Sequence, residues 1–578
     1  MSQTKAQLVS QVSDAQNNTT GGSNAGDSFD GTNAENNTLI GYNAGTAITT
    51  GDRNTAVGSI ALDANTTGSD NAAFGRTSLS ANTTGSYNVA VGQGSLASNT
   101  TASNSVSVGT NSLNVNSTGG RHVAVGSSAL RNNTTADYNT AIGYEALKAN
   151  TTAEHNVAVG SQSLYTNTTG GDNVAIGLNS LYYNTTAGYN TAVGKSALQA
   201  NTTAPGNTAI GYHSLKANTT GEYNVAVGFG ALDVNTTASN NIAVGASCLG
   251  ANTTGTDNVA VGASALAANT TASDNTALGR FALKDNTTGI RNVAVGADAL
   301  YANTTANNNV AVGYEALNDN TTGADATGLG NYALAFNTTG TRNVAVGYTA
   351  LYDNTTGSYN TALGTYALTN NTNAFYNTAV GYNALAANTT GEYNTAIGSA
   401  CLDDNTTGTR NVGVGYNCLP NSTTAANNVA VGSDSMVANT TGTQNVAVGA
   451  FALENNTTAN DNTAVGYSAM EENTTGTHNT AVGAYALEAN TTGDENTAFG
   501  KSSLGYNVSG SRNTALGRSA LSGNLADDNT GIGHDALRAT TTGTGNTAIG
   551  SYCLDSNTTG ASNTAVGYYA MKANTTAS

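Results

Sequence analysis

The side chains able to do chemistry are few. Four Cys, five His and 27 Tyr stand among 578 residues, with no Trp. Cys248, Cys401, Cys418 and Cys553 suggest a metal or redox set. Each of them, however, sits immediately before a Leu or its equivalent, where the chain elsewhere has Ala or Ser. Cys packs well as a small hydrophobe, so this phase assigns all four to an interior. Only Cys401 and Cys418 are 17 residues apart, and only they can meet. His122 replaces an Asn, and His155, His213, His478 and His534 fall at other phases without ligand spacing, so no metal is expected. A fixed Asp column of the kind that holds calcium in nonapeptide repeats is missing. No nucleophile, base and orienter recur together, so neither an enzyme nor a cofactor is expected.

Tyr is the more informative type. Tyr144, Tyr212, Tyr314, Tyr348, Tyr382, Tyr416 and Tyr467 all follow one recurrent Gly directly. Tyr87, Tyr138, Tyr189, Tyr223, Tyr359 and Tyr393 precede a recurrent Asn. Both phases vary from turn to turn, which predicts exposure. Rows of Tyr beside Asp and Asn can bind glycans or a partner protein. Packing between coils or between chains is the structural alternative. The first seven Tyr are the candidate surface-binding residues.

What positions them is a repeat. The unit Asn156-Val157-Ala158-Val159-Gly160 returns as Asn173-Val174-Ala175-Ile176-Gly177. The Gly marker recurs every 17 residues from Gly41 to Gly517, then at Gly533, Gly550 and Gly567, giving 32 markers. A strict short period signals a solenoid. From Gly58 on, one residue before the marker stands Val, Ile, Leu or Phe; two before it stands Ala, or the small Ser107, Gly328, Gly413 and Gly531. Four after it stands Leu, as in Leu62, Leu79, Leu147, Leu164 and Leu300, replaced after the first turn only by Met436, Met470 and Met571. This Leu column is expected in the core.

The expected fold is all-β, a parallel β-solenoid of 17-residue coils. A short strand leads to the marker, and a second extended segment ends at the Leu. Gly and Asn-Thr-Thr-Gly make the corners. Each coil should enclose one Leu, one Val or Ile, and small residues. Stacking at about 4.8 Å per coil gives a rod of about 150 Å. Recurrent Asn at two phases, such as Asn54 and Asn65, can ladder their amides. That reading is preferred to N-glycosylation of Asn-Thr-Thr.

Residues 1–35 lie outside the period and are read as an attachment or flexible arm, with Asn17–Gly22 echoing the corner without a strand beside it. Residues 36–578 form the continuous repeat of 32 coils, irregular near 325–330 and 505–545. Net charge is −18 without a basic run, which argues against nucleic acid. No apolar stretch reaches about 18 residues, so no membrane insertion is expected. The start lacks a signal-peptide core, which points to synthesis in a cytoplasm.

The unit Asn139–Ala153 resembles the repeats of bacteriophage tail-fibre and related virion fibre proteins. It resembles, more distantly, the head repeats of trimeric autotransporter adhesins, which are left-handed parallel β-rolls. The opening Met1–Leu8 is similar to the starts of marine cyanophage structural proteins. The resemblance implies a virion fibre, attached through residues 1–35 to other virion proteins and contributing to recognition of host-surface glycans. A bacterial surface adhesin or extracellular filament subunit is the alternative. A left-handed coil and a parallel homotrimer are expected, the latter because a coil with one Leu encloses too little to offset the ordering of 17 residues.

Overall fold

The structure, a computed structural model, describes residues 14–29 and 33–578. The chain divides into two compact units between Thr288 and Gly289. Among the described residues, 16 three-residue strands run from Thr19–Gly21 to Thr276–Leu278 in the first unit. In the second, 17 run from Val293–Val295 to Thr564–Val566. No helix occurs among the described residues. Each unit is a parallel β-solenoid. Strands pair in register with the same phase one coil on, as Val157, Ala158 and Val159 do with Val174, Ala175 and Ile176. The Cα atoms of Cys401 and Cys418, one coil apart, lie 4.7 Å from each other, the spacing of neighbouring strands.

The ladder does not stop at the strands. Gly160 N–H donates to the Ile142 carbonyl at 2.7 Å, Leu147 N–H to Ser163 at 2.9 Å, Ala149 N–H to Tyr165 at 3.1 Å, and Thr151 N–H to Thr168 at 3.0 Å. Hydrogen bonds between coils thus run most of the way round the repeat. The expected second extended segment is absent. The residues after the marker form a turn instead, in which the column Leu is left-handed: φ is 51° at Leu147 and 50° at Leu164.

The column Leu is fully buried at Leu62, Leu79, Leu147, Leu164 and Leu300. Beside it are buried Ala158 and Ala175 of the strands and both columns of Asn. The expectation that one Val or Ile per coil also enters the core is overturned. Val157 and Val159 are half-buried on the outer face, and Ile142 and Ile176 are 39% exposed. Strand parity explains this. The Asn that opens the strand turns its amide inward, and residues two apart share a face. Ala therefore points inward and its branched neighbours point out.

The Asn ladder is present. Asn71 N–H and Nδ2 donate to Asn54 Oδ1 at 3.0 and 3.1 Å. In the second column Asn82 Nδ2 donates to Asn65 Oδ1 at 2.7 Å and to the Gly85 carbonyl at 2.9 Å. These corner Asn residues are fully buried, which leaves no amide free for a glycan. The marker Gly has a comparable constraint. Gly160 has φ +132°, and a Cβ there would lie 2.6 Å from the Gly177 carbonyl oxygen.

Part of the expected arm over 1–35 lies outside the described residues, at 1–13 and 30–32. Within the rest, Thr19–Gly21 is a strand paired in parallel with Thr38–Ile40, so the reading of Asn17–Gly22 as strandless is corrected. The next coil exchanges its large and small residues. Leu39 takes the Ala position and is fully buried, while Gly45 takes the Leu position. A Cβ on Gly45 would meet both Leu39 methyls at 2.8 Å. The 16-residue coil is absorbed at its corner, where Asn529 Nδ2 donates to Asn524 Oδ1 at 3.0 Å, and Thr514 still pairs with Thr530.

Candidate functional site

The exposed phases flank the strand. The residue before the strand Asn and the residue two after the marker both take left-handed backbone, as at Tyr359 (φ 62°) and Tyr366 (φ 59°). Side chains at one phase then follow each other at the coil spacing, close enough for rings to touch.

All seven candidate Tyr are exposed, from Tyr212 at 39% to Tyr416 at 61%. The structure groups three of them. Tyr314, Tyr348 and Tyr382 alternate with Tyr332 and Tyr366 in an edge-to-face zigzag. Its successive centroid distances are 5.3, 6.2, 5.7 and 6.0 Å. The Tyr314 hydroxyl, hydrogen-bonded to Glu315, is pushed up to about 12 by that carboxylate. Tyr212 stacks on Phe229 at 5.3 Å and on His213 at 3.8 Å. Tyr467 lies between Phe451 at 5.6 Å and Tyr485 at 5.4 Å. Tyr144 and Tyr416 join none of the described ring pairs.

On the other flank, Tyr359, Tyr376 and Tyr393 stack at 4.9 and 5.2 Å, with ring planes 13° and 9° apart. Arg342 lies over Tyr359 at 5.3 Å and Arg410 over Tyr393 at 5.8 Å. A cation thus closes each end of the stack. Sequence reasoning passed over Arg342, Tyr376 and Arg410. The available signal was the run 342, 359, 376, 393, 410 at one phase of the repeat.

The cysteines divide. Cys248 and Cys553 are free and buried, and burial pushes the Cys248 thiol up to about 12. Cys401 and Cys418 form a disulfide between adjacent coils, which corrects the reading of all four as inert packing. Gly413 replaces the inner Ala beside them, and a Cβ there would collide with Cys401 Sγ and come within 3.1 Å of Cys418 Sγ. The Gly makes room for the bridge.

Among the described residues no three His, Cys, Asp or Glu gather as a metal site, and no helix is long and apolar enough to cross a membrane. The chain matches no protein-family model and no curated protein. Chemically, the surface offers rings, phenol hydroxyls and guanidinium groups at a fixed repeat, together with an apolar strand face.

Proposed function

We propose that the protein is a structural fibre subunit of a tailed-phage virion. In this reading it assembles as a parallel homotrimer of left-handed coils and carries its Tyr columns outward, where they contribute to recognition of the host surface. The observation that carries the reading is the outer strand face. In all 32 marked coils its two positions are held by Val, Ile, Leu, Phe, Thr or Ala and never by a charge. Leu363 is 46% exposed there and Ile210 40%. Within each unit the position just before the marker is apolar in every coil, and an exposed apolar row of this kind marks an interaction site. A second copy has the same coil spacing and can match it coil for coil. Three copies close such an interface around an axis. The resemblance to phage fibre repeats supplies the virion context.

Native mass spectrometry of the intact protein tests assembly. A stable monomer at micromolar concentration overturns the trimer. Mass spectrometry of purified particles from the producing culture tests location, and absence of the chain from those particles overturns the virion reading.

One observation favours the alternative of a bacterial surface adhesin or extracellular filament subunit. The Cys401–Cys418 disulfide is of a kind that persists in oxidising surroundings and is rare in a reducing cytoplasm. Thiol alkylation of intact cells, fractionated before any lysis, separates the two. Chain confined to the cytoplasm with free thiols fits a fibre, and bridged chain on the surface of unlysed cells fits the adhesin.

A further inference from the structure

The turn that follows the column Leu carries an opening of about 470 Å³ in the first unit, lined by Tyr183, Gln199, Ala200, Lys216, Ala217, Asp233 and Val234. The repeat explains its origin. Six residues after the marker, four successive coils carry Tyr183, Ala200, Ala217 and Val234. Two small residues thus lie between two large ones, and the surface drops by the depth of a side chain. Tyr183 is 52% exposed and Val234 40%. The backbone of the floor is already satisfied. Ala200 N–H donates to the Lys216 carbonyl and Ala217 N–H to the Asp233 carbonyl, each at 3.0 Å. Recognition therefore falls to side chains.

Three polar heads stand one phase earlier in those coils: the Gln199 amide, the Lys216 ammonium and the Asp233 carboxylate. None of them makes a side-chain hydrogen bond or an ion pair with another described residue. The contrast within the same phase is informative. Lys148 is held by Glu145 at 2.7 Å and by the Tyr165 hydroxyl at 3.3 Å, and Arg538 reaches Asp555 at 3.3 Å. Around the opening, donors and acceptors are left for something else.

The lining combines an aromatic wall, an apolar floor, two donor groups and two acceptor groups, with the charges of Lys216 and Asp233 in balance. The ligand that matches has one apolar face, a rim of hydroxyls that both donate and accept, and no net charge. Its volume sits at the small end of ligand pockets. We propose that this opening is a binding subsite for a neutral pyranose. The apolar C–H face of the sugar lies against Tyr183, and its hydroxyls bond to Gln199, Lys216 and Asp233. The subsite is independent of the fibre assignment, because it requires only the folded first unit.

Saturation-transfer NMR on the full chain tests it, with the methyl glycosides of glucose, galactose and mannose as neutral probes and glucuronate as a charged one. The expected result is transfer to the ring protons of at least one neutral glycoside. Asp233→Ala, Tyr183→Ala and Ala217→Phe should each reduce that transfer at least five-fold. Ala217→Phe fills the opening without removing a polar head. It should fold, because Phe336 and Tyr506 occupy the same phase in other coils. Val115→Ala, an exposed residue at the same phase four coils before Tyr183, should leave the transfer unchanged. No transfer to any neutral glycoside overturns the proposal, as does equal transfer in Ala217→Phe or binding of glucuronate alone. None of these outcomes bears on assembly or on presence in particles, so the fibre reading stands or falls separately.

Discussion

The identity of the column Leu follows from its backbone. A left-handed L-residue costs about 1–2 kcal/mol, and branching at Cβ raises that cost. The only substitutes after the first turn, Met436, Met470 and Met571, are unbranched at Cβ and also left-handed, at φ 53°, 53° and 51°. Val and Ile, abundant in the strands, never appear in this column of those coils. Leu147→Met should cost under about 1.5 kcal/mol. Leu147→Ile, equal in volume to Leu, should cost about 1–3 kcal/mol more. Amide exchange across the neighbouring coils checks the order, and equal effects would remove the backbone explanation. His122 makes a second argument at this scale. It replaces a ladder Asn, is 1% exposed, and accepts the Asn139 N–H on Nδ1 at 3.2 Å. Burial pushes its pKa from 6.5 down to about 4. The lower value belongs to the folded state, so the unfolded chain binds the extra proton between those values. Its contribution is complete above pH 6.5 and is lost as pH falls towards 4, by about 3 kcal/mol at 1.36 kcal/mol per pKa unit. Exchange protection around residues 122–139 should fall over that window, and His122→Asn should flatten the dependence.

At the scale of the coil, each Asn column ties neighbouring coils together within its unit, and the sequence shows a place where one is cut. Ser422 stands at the corner where Asn is expected. As a result Asn405 Oδ1 and Ser422 Oγ are buried without a hydrogen-bond partner. Asn439 Nδ2 keeps only its bond to the Gly442 carbonyl, at 3.2 Å. An unsatisfied buried acceptor costs about 1–3 kcal/mol, so Ser422→Asn should stabilise these coils by about that amount. Thermal unfolding with exchange readout over residues 405–440 measures it, and a neutral or destabilising result would mean that the rung cannot be rebuilt. The ladder fails again in the second unit, where Asn507 Oδ1 and Thr540 Oγ1 are buried without a partner, whereas a polar residue at the inner Ala position is satisfied locally. Where Ser107 replaces the inner Ala, Ser95 Oγ bonds it at 2.8 Å and Ser112 Oγ at 2.6 Å. The period, the buried Leu and the amide ladder were legible in the sequence, because each is a strict residue type at a strict phase. The direction of the strand faces was not drawn, although the parity of Asn71 and Ala73 contained it. Alternation separates two faces, and hydrophobicity alone then points the branched face inward, which is the wrong answer here. Left-handed Leu left no signal that a strand reading could use. The opening beside Tyr183 depends on bulk lost at Ala200 and Ala217, a difference between coils that reading the repeat as a consensus erases.

At the scale of the molecule, repeats confine damage, since each coil contacts mainly its neighbours. A substitution therefore reports the surface it lies on, and the inner and outer faces can be told apart. Leu147→Asp places a charge in a fully buried column, with no partner to offset its desolvation. It should open the adjoining coils and raise protease sensitivity there, whether or not chains associate. Ile176→Asp combined with Ile210→Asp alters only the outer face, where these side chains are 39% and 40% exposed. In an isolated chain each substitution sits at a half-exposed strand position and should cost about 1 kcal/mol. In a homotrimer closed on that face the double substitution buries six carboxylates. Burying one Val-sized or Ile-sized side chain contributes about 1.5–3 kcal/mol, so a stripe repeated along many coils can tolerate two weak points without complete dissociation. The expected outcome is graded. The double variant should keep its β circular dichroism and lose trimer at a protein concentration where wild type retains it. Extending the substitution to Val159, Val193 and Val227 should complete the dissociation. Retention of the trimer by the five-fold variant, with circular dichroism intact, would place the interface on another side of the coil and leave the branched face for a different partner.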